Sequence, residues 1–360
     1  MTRRYACILG NLGNTKDRFC GGYKHTPDTL AMLEQAAGVP GVAGIELVGT
    51  WDVTPDSAED MRHALDAHGL TCVSVIPDLF TDPRFGKGSF SAPDAGVRRH
   101  AVDVTKQTAE AARLLGCPML NIWPGQDGHD YLLAADYTKQ RDWMAAGVAE
   151  VAEAYPGLRL ALEYKPKEPR CRSLLATMAD TLLMCEEIGR DNVGVCIDTG
   201  HACNAQESLG DAVALAARLD TPAGVGAGRL FHVHCNDNHG HWDDDMIVGS
   251  IRFAAYVELL FWLDRLGYDG WISMDQYPYR EDAAAAIGES VAWLRGLDRR
   301  LATEPDALAA AVGACDGVTT ARTLRELLFQ RTPASADARS EELGRVSSAG
   351  PRRFKKGLAL

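Results

Sequence analysis

The chain has 360 residues, 46% of them apolar and 24% charged, with 37 Lys and Arg against 49 Asp and Glu for a net charge of −12. Such a composition buries a large core and excludes collagen-like, coiled-coil and disordered classes. The acidic balance argues against nucleic acid as the main partner and directs attention to small-molecule or metal chemistry.

The opening segment, Met1 to Asn14, carries two arginines and no sustained apolar stretch, and no window approaches 18 consecutive apolar residues. Neither an export signal nor a membrane span is expected, and a membrane partner is not. Ten cysteines are scattered without a CxxC pair; they read as buried thiols of a reducing, cytoplasmic compartment.

Short β-rich apolar runs then recur at a steady interval: 5–9, 44–48, 71–76, 119–123, 159–164, 193–197, 230–234 and 270–274. Helical periodicity separates them, clearest where Val97, Ala101, Val104, Thr108, Ala111 and Leu115 repeat at three or four. Further helices are predicted over 137–154, 174–188, 209–219, 251–266 and 283–301. Eight strands, most of them followed by a helix, call for parallel strands with right-handed crossovers, and a closed (β/α)8 TIM barrel satisfies the count. An open doubly wound sheet usually carries a phosphate turn after its first strand, and GNLGN at Gly10–Asn14 is not GxGxxG. The length is read as a catalytic barrel over 1–302 and a helical extension over 303–330. A polar tail over 331–360 is poorly ordered or contacts another subunit.

In such a barrel reactive groups project from the C-terminal ends of the strands. Strand five ends LEYKPKEP, with Glu163 and Lys165; strand six ends CIDTGHA, with Asp198 and His201; strand seven reads HVHCND, with His232, His234 and Asn236 on one face; strand eight ends SMDQYP, with Asp275. Glu163, Asp198, His234 and Asp275 follow one another at 35, 36 and 41 residues, each near one strand–helix unit. Carboxylates with an imidazole make an oxygen–nitrogen site suited to Mn²⁺, Co²⁺ or Mg²⁺. The loop NHGHWDDDMIVGS adds Asp243 and Asp245, which alternation can turn the same way. With His201 they would hold a second divalent ion bridged by Asp198, and two cations would neutralise the crowded carboxylates.

Each residue alone has a plainer reading. An Asp at a strand exit is commonly the N-cap of the next helix, His232 reads as hydrogen-bonded support for a ligand, and three aspartates read as a solvated loop. Coincidence at four successive exits favours the metal centre. Lys165 is either a counterion or a donor to a substrate oxygen that becomes negative. Trp123, with Trp51 and Trp242, is a candidate wall for a sugar ring, and His129, Asp127 and Glu46 are candidates for hydroxyl recognition.

The ordered motifs ExKP, DxGH, HxHxND, DDD and MDQYP, spanning 158–278, resemble the xylose isomerase-like superfamily, and within it L-rhamnose isomerases and related aldose–ketose isomerases. The resemblance implies a structural ion on Glu163, Asp198, His234 and Asp275, and a catalytic ion on His201, Asp243, Asp245 and Asp198. It also implies Lys165 at the sugar's O1, a metal-assisted 1,2-hydrogen shift on a monosaccharide, and a homodimer or homotetramer. The chain departs from that pattern at strand three, where VSVIPDLF supplies Asp78 rather than a His for ring opening. Other readings are a ketose 3-epimerase or keto-sugar lyase, an endonuclease IV-like nuclease, and a carbohydrate-binding barrel without activity.

Overall fold

The computed structural model describes residues 3–16, 20–168 and 170–329. Eight parallel strands close into a barrel: β1 (Arg4–Ile8), β2 (Val42–Val48), β3 (Thr71–Ile76), β4 (Met119–Ile122), β5 (Arg159–Glu163), β6 (Val193–Asp198), β7 (Leu230–Cys235) and β8 (Trp271–Met274). The chain thus has the (β/α)8 architecture, and β8 returns to β1 through the register Arg4↔Trp271 to Cys7↔Met274. β6 and β7 are buried at every residue, as a strand covered on both faces must be.

The helices are α1 (Thr29–Gly38), α2 (Ala58–His68), α3 (Ala95–Leu115), α4 (Tyr137–Ala154), α5 (Met178–Ile188), α6 (Thr199–Asn204), α7 (Leu209–Ala216), α8 (Phe253–Leu266), α9 (Ala283–Thr303), α10 (Pro305–Ala314) and α11 (Gly317–Phe329). Asp94 caps α3 by accepting from the Gly96 and Val97 amides at 2.6 and 3.1 Å, and Gly116 ends it in the left-handed region at φ 72°. α1 and α2, absent from the predicted set, bury only Met32, Leu33 and Ala36, and Ala58, Met61 and Leu65. Stripes that narrow do not stand out among polar residues. α5 starts at Met178 rather than 174, because Thr177 caps it and the preceding residues are engaged elsewhere: the Lys165 amide donates to the Leu175 carbonyl at 3.0 Å. Gly128–His129, Lys167–Glu168 and Cys171–Ser173 form a small antiparallel sheet beyond the exits of β4 and β5.

The barrel interior is layered along the strand direction. Ala6, Val73, Met119, Ala161, Cys196 and Phe231 form an apolar layer. Farther along the strands come buried Glu46, Ser74, Asn121, Glu163, His232 and His234. Contacts divide the chain into Met1–Asp298 and Arg299–Leu360; within the second, α10 and α11 pack on each other. The tail expected over 331–360 lies outside the described residues. No disulfide joins the ten cysteines, and no described helix is long and apolar enough to cross a membrane.

Candidate active site

Glu163 ends β5, Asp198 ends β6, His234 is the penultimate residue of β7, and Asp275 follows β8. The barrel register sets them side by side, with His234 opposite Asp198 and Glu163 opposite Cys196. One ligand atom from each lies within 4.8 Å of the others. Three asparagine amides fix the carboxylates from outside: Asn121 donates to Glu163 Oε2 at 2.7 Å, Asn236 to Asp198 Oδ2 at 2.8 Å and Asn11 to Asp275 Oδ1 at 3.1 Å. Sequence reasoning missed Asn11 and Asn121, since a lone Asn on a strand or a tight turn carries no spacing signal.

A second group shares Asp198. Asp198, His201 and Asp243 bring ligand atoms within 4.8 Å of one another, with His201 Nε2 3.2 Å from Asp243 Oδ2 and His201 Nδ1 3.3 Å from Glu163 Oε1. Asp198 also caps α6, accepting from the His201 amide at 2.9 Å, so the plainer reading of this Asp and the ligand reading hold together. Gly200 between them is obligatory: a Cβ there would lie 2.1 Å from Asn236 Oδ1. Asp245 stands outside this group. Its backbone turns through φ 48°, so the alternation expected of an extended Asp-Asp-Asp run does not apply and only Asp243 joins His201.

Charge is concentrated here beyond what bare carboxylates tolerate. Burial, with Asp243, Asp275 and Glu163 nearby, pushes Asp198 up to about 7. Burial and the neighbouring Asp243 and Asp275 raise Asp245 well above the usual carboxylate range. Burial works against a charged His201, yet Asp198 and Asp243 lift it to about 9. Burial likewise opposes ionisation of Asp243, but Lys165 and His201 hold its carboxyl below the ordinary range. Lys165 itself is 7% exposed. Its ammonium pairs with Asp243 Oδ2 at 2.7 Å and with Glu168, and despite burial those partners raise its pKa well above that of a free lysine.

Glu46, a candidate for hydroxyl recognition, is corrected to an interior role. It is fully buried and accepts from Ser74 Oγ, from His232 Nε2 at 2.9 Å and from His234 Nε2 at 3.1 Å. His232 is therefore the support residue its depth suggested. Asp127 is likewise interior, tied to Ser89 and Ser91. His129 lies on the small antiparallel sheet with its ring 4.8 Å from that of Tyr137. Trp123 does border the cluster, with Lys165 Nζ 5.1 Å from its ring centre, and it continues through Phe80 at 5.0 Å to Trp51 at 5.7 Å. Trp242 lies under Lys167, whose Nζ is 5.7 Å from its ring centre. Asp78, where a histidine was sought, is spent on the Trp51 indole at 2.8 Å and on the Thr81 amide at 3.0 Å.

The donors fit divalent cations. His234 commits Nε2 to Glu46, and its buried Nδ1, without a hydrogen-bond partner, faces Glu163 Oε2 at 3.5 Å and Asp275 Oδ2 at 3.3 Å. His201 Nδ1 and Asp243 Oδ1 are also buried without hydrogen-bond partners. Buried polar atoms left unpaired are costly, and a cation in each of the two groups would answer the unpaired atoms that group encloses.

A family model described as the xylose isomerase-like TIM barrel matches residues 33–297. The xylose isomerase of Thermus thermophilus is 30% identical over 289 residues, 76% of this chain and 72% of that one. Among solved structures, an L-ribulose 3-epimerase superposes with a TM-score of 0.64 at 22% identity, covering 84% of this chain and 98% of its own. A D-tagatose 3-epimerase-like protein does so at 0.63 and 22%, covering 83% and 99%. At such identities these two likenesses concern the fold.

Proposed function

The chain belongs to the xylose isomerase-like TIM-barrel family, and from that premise we propose that it is a divalent-metal-dependent isomerase interconverting an aldose and a ketose. The observation that carries the reading is the pair of acid–imidazole groups sharing Asp198. Glu163, Asp198, His234 and Asp275 would hold one ion, and Asp198, His201 and Asp243, with Asp245 beside them, a second. The mixed oxygen and imidazole donors suit Mn²⁺, Co²⁺ or Mg²⁺. Such ions, when bound, polarise the sugar's hydroxyl and carbonyl oxygens and stabilise the negative charge that develops there.

The protein's own groups complete the site. Lys165, kept protonated by Asp243 and Glu168, donates to the sugar oxygen on which charge grows as the C1–C2 unit rearranges. Its position is preset, so no reorganisation accompanies that donation. Trp123, Phe80 and Trp51 offer an aromatic wall to the C–H face of the ring.

A ketose 3-epimerase is the second reading, supported by the fold likeness to L-ribulose 3-epimerase. One experiment separates them: Mn²⁺-dependent conversion of a panel of pentoses, hexoses and 6-deoxyhexoses, with a chelated control. Ketose formed from an aldose, lost on chelation and restored by Mn²⁺, is expected. Silence across all aldoses, with deuterium from D₂O entering a ketose at C3, overturns the isomerase in favour of the epimerase.

A further inference from the structure

The end of the barrel opposite the carboxylate cluster carries a cavity of about 480 Å³ among the first residues of the strands. Its floor is apolar, with Met119, Phe231 and Trp271, and two arginines stand at its rim. Arg4 opens β1 and Arg159 opens β5, strands that face each other across an eight-stranded ring. Arg4 stacks its guanidinium over Trp271 at 5.0 Å and donates to the Asp269 carbonyl.

Arg159 differs from the other sheltered arginines. Arg3 pairs with Asp264 and Asp298 at 2.8 Å, and Arg229 with Glu186 at 3.2 Å. Among the described residues the Arg159 side chain has no hydrogen-bond or ion-pair partner, although burial is deep enough to pull its pKa below that of an ordinary arginine. An unpaired, partly desolvated guanidinium is costly, and a planar fork of donors is the side chain best matched to a carboxylate or phosphate. The inner wall supplies a second unmet group. His232 is fully buried and lines the same cavity. It gives Nε2 to Glu46, which leaves Nδ1 as an acceptor without a partner.

We propose that this cavity binds a small anionic polyol, with Arg4 and Arg159 holding its phosphate or carboxylate and His232 Nδ1 accepting from a hydroxyl. The cavity opens at the other end of the barrel from the sugar site and meets it only through His232, which shares Glu46 with His234, so the arginine contacts to the anion do not depend on the isomerase reading. The two anionic groups share one chemistry, and separate probes distinguish them.

The test is thermal unfolding of the Mn²⁺-loaded full chain against rising glycerol 3-phosphate or glycerate, with sodium chloride at matched ionic strength. A saturable rise in Tm is expected for at least one probe, with apparent affinity about tenfold weaker in Arg159→Gln. Arg4→Gln, at an exposed position, carries the same expectation and serves if Arg159→Gln does not fold. Mn²⁺ affinity unchanged in these variants places the loss at this end of the barrel. Absence of any saturable rise in the native chain, or an equal rise in native and variant chains, overturns the proposal.

Discussion

His234 gives its Nε2 to Glu46, 3.1 and 3.2 Å from the two carboxylate oxygens, and turns its Nδ1 to Glu163 and Asp275 at 3.5 and 3.3 Å. Glu46 leaves the Nδ1 lone pair as the one aimed at the carboxylates, and burial of the pair prevents the ring from turning. A carboxylate behind a ligand histidine also raises its basicity. Glu46→Gln, with a neutral amide in that place, is expected to weaken Mn²⁺ binding roughly 10- to 100-fold. Isothermal titration reads this directly, and a dissociation constant equal to that of the native chain would refute the role.

The contrast between Glu46 and Asp198 explains how far the sequence can be read. Asp198 lies at a strand exit, one repeat from Glu163 and from His234, so chain periodicity alone assigns it to the cluster. Glu46 lies inside β2 at an equally regular position, yet its function depends on which rotamers fill the barrel interior, and no spacing encodes that. Asn11 and Asn121 were illegible for the same reason. The barrel itself was legible because covered parallel strands make short apolar runs. Alternation presumes an extended backbone, and the positive φ of Asp245 is a loop property that a run of three aspartates conceals, so spacing does not encode its place beside Asp243 and Asp198 rather than among the closest ligand atoms.

The two acid–imidazole groups share one carboxylate but differ in their remaining members, so they should separate by mutation. Asp243→Asn combined with His201→Ala is expected to reduce bound Mn²⁺ from two ions per chain to one while leaving Glu163, His234 and Asp275 intact. Metal analysis after gel filtration would show the stoichiometry. Sugar conversion should fall by roughly two orders of magnitude or more, since the lost group borders Lys165. Full activity in this double variant would remove Asp243 and His201 from the reaction.

Lys165 tests donation separately from metal binding. Lys165→Met keeps the length and apolar stem but withdraws the charge from between Asp243 and Glu168. A preorganised donor to developing negative charge contributes about 10²–10³ in kcat, so a loss of that size is expected with KM for the sugar changed far less. If kcat holds and KM alone rises, Lys165 acts in ground-state binding only.

Chelation should register in stability as well as activity. Four carboxylates converge on the cluster, and a bound ion both pairs them and favours the folded chain. At a free Mn²⁺ concentration of about 100 times the dissociation constant, one site contributes roughly 2.7 kcal/mol, about 4 °C in Tm for a domain of this size. Differential scanning calorimetry with and without chelator should show a drop of that order, and a drop absent in the Asp243→Asn, His201→Ala, Glu163→Gln variant. A Tm indifferent to chelator would argue against resident metal.

Asp52 offers a pH-dependent prediction away from the cluster. Its carboxyl accepts from the Val48 amide at 2.8 Å, but burial raises its pKa to about 6. A raised carboxyl binds its proton more tightly folded than unfolded, so its contribution is most favourable below about pH 4 and declines as pH rises to about 6. Above that, the ionised group costs about 3 kcal/mol. Asp52→Asn keeps an acceptor for Val48 and cannot ionise. It should match the native chain near pH 4 and exceed it by about that amount at pH 8, with urea midpoints measured at both values. A variant less stable than the native chain at pH 8 would mean that the Asp52 charge is compensated in the fold and that burial does not govern it.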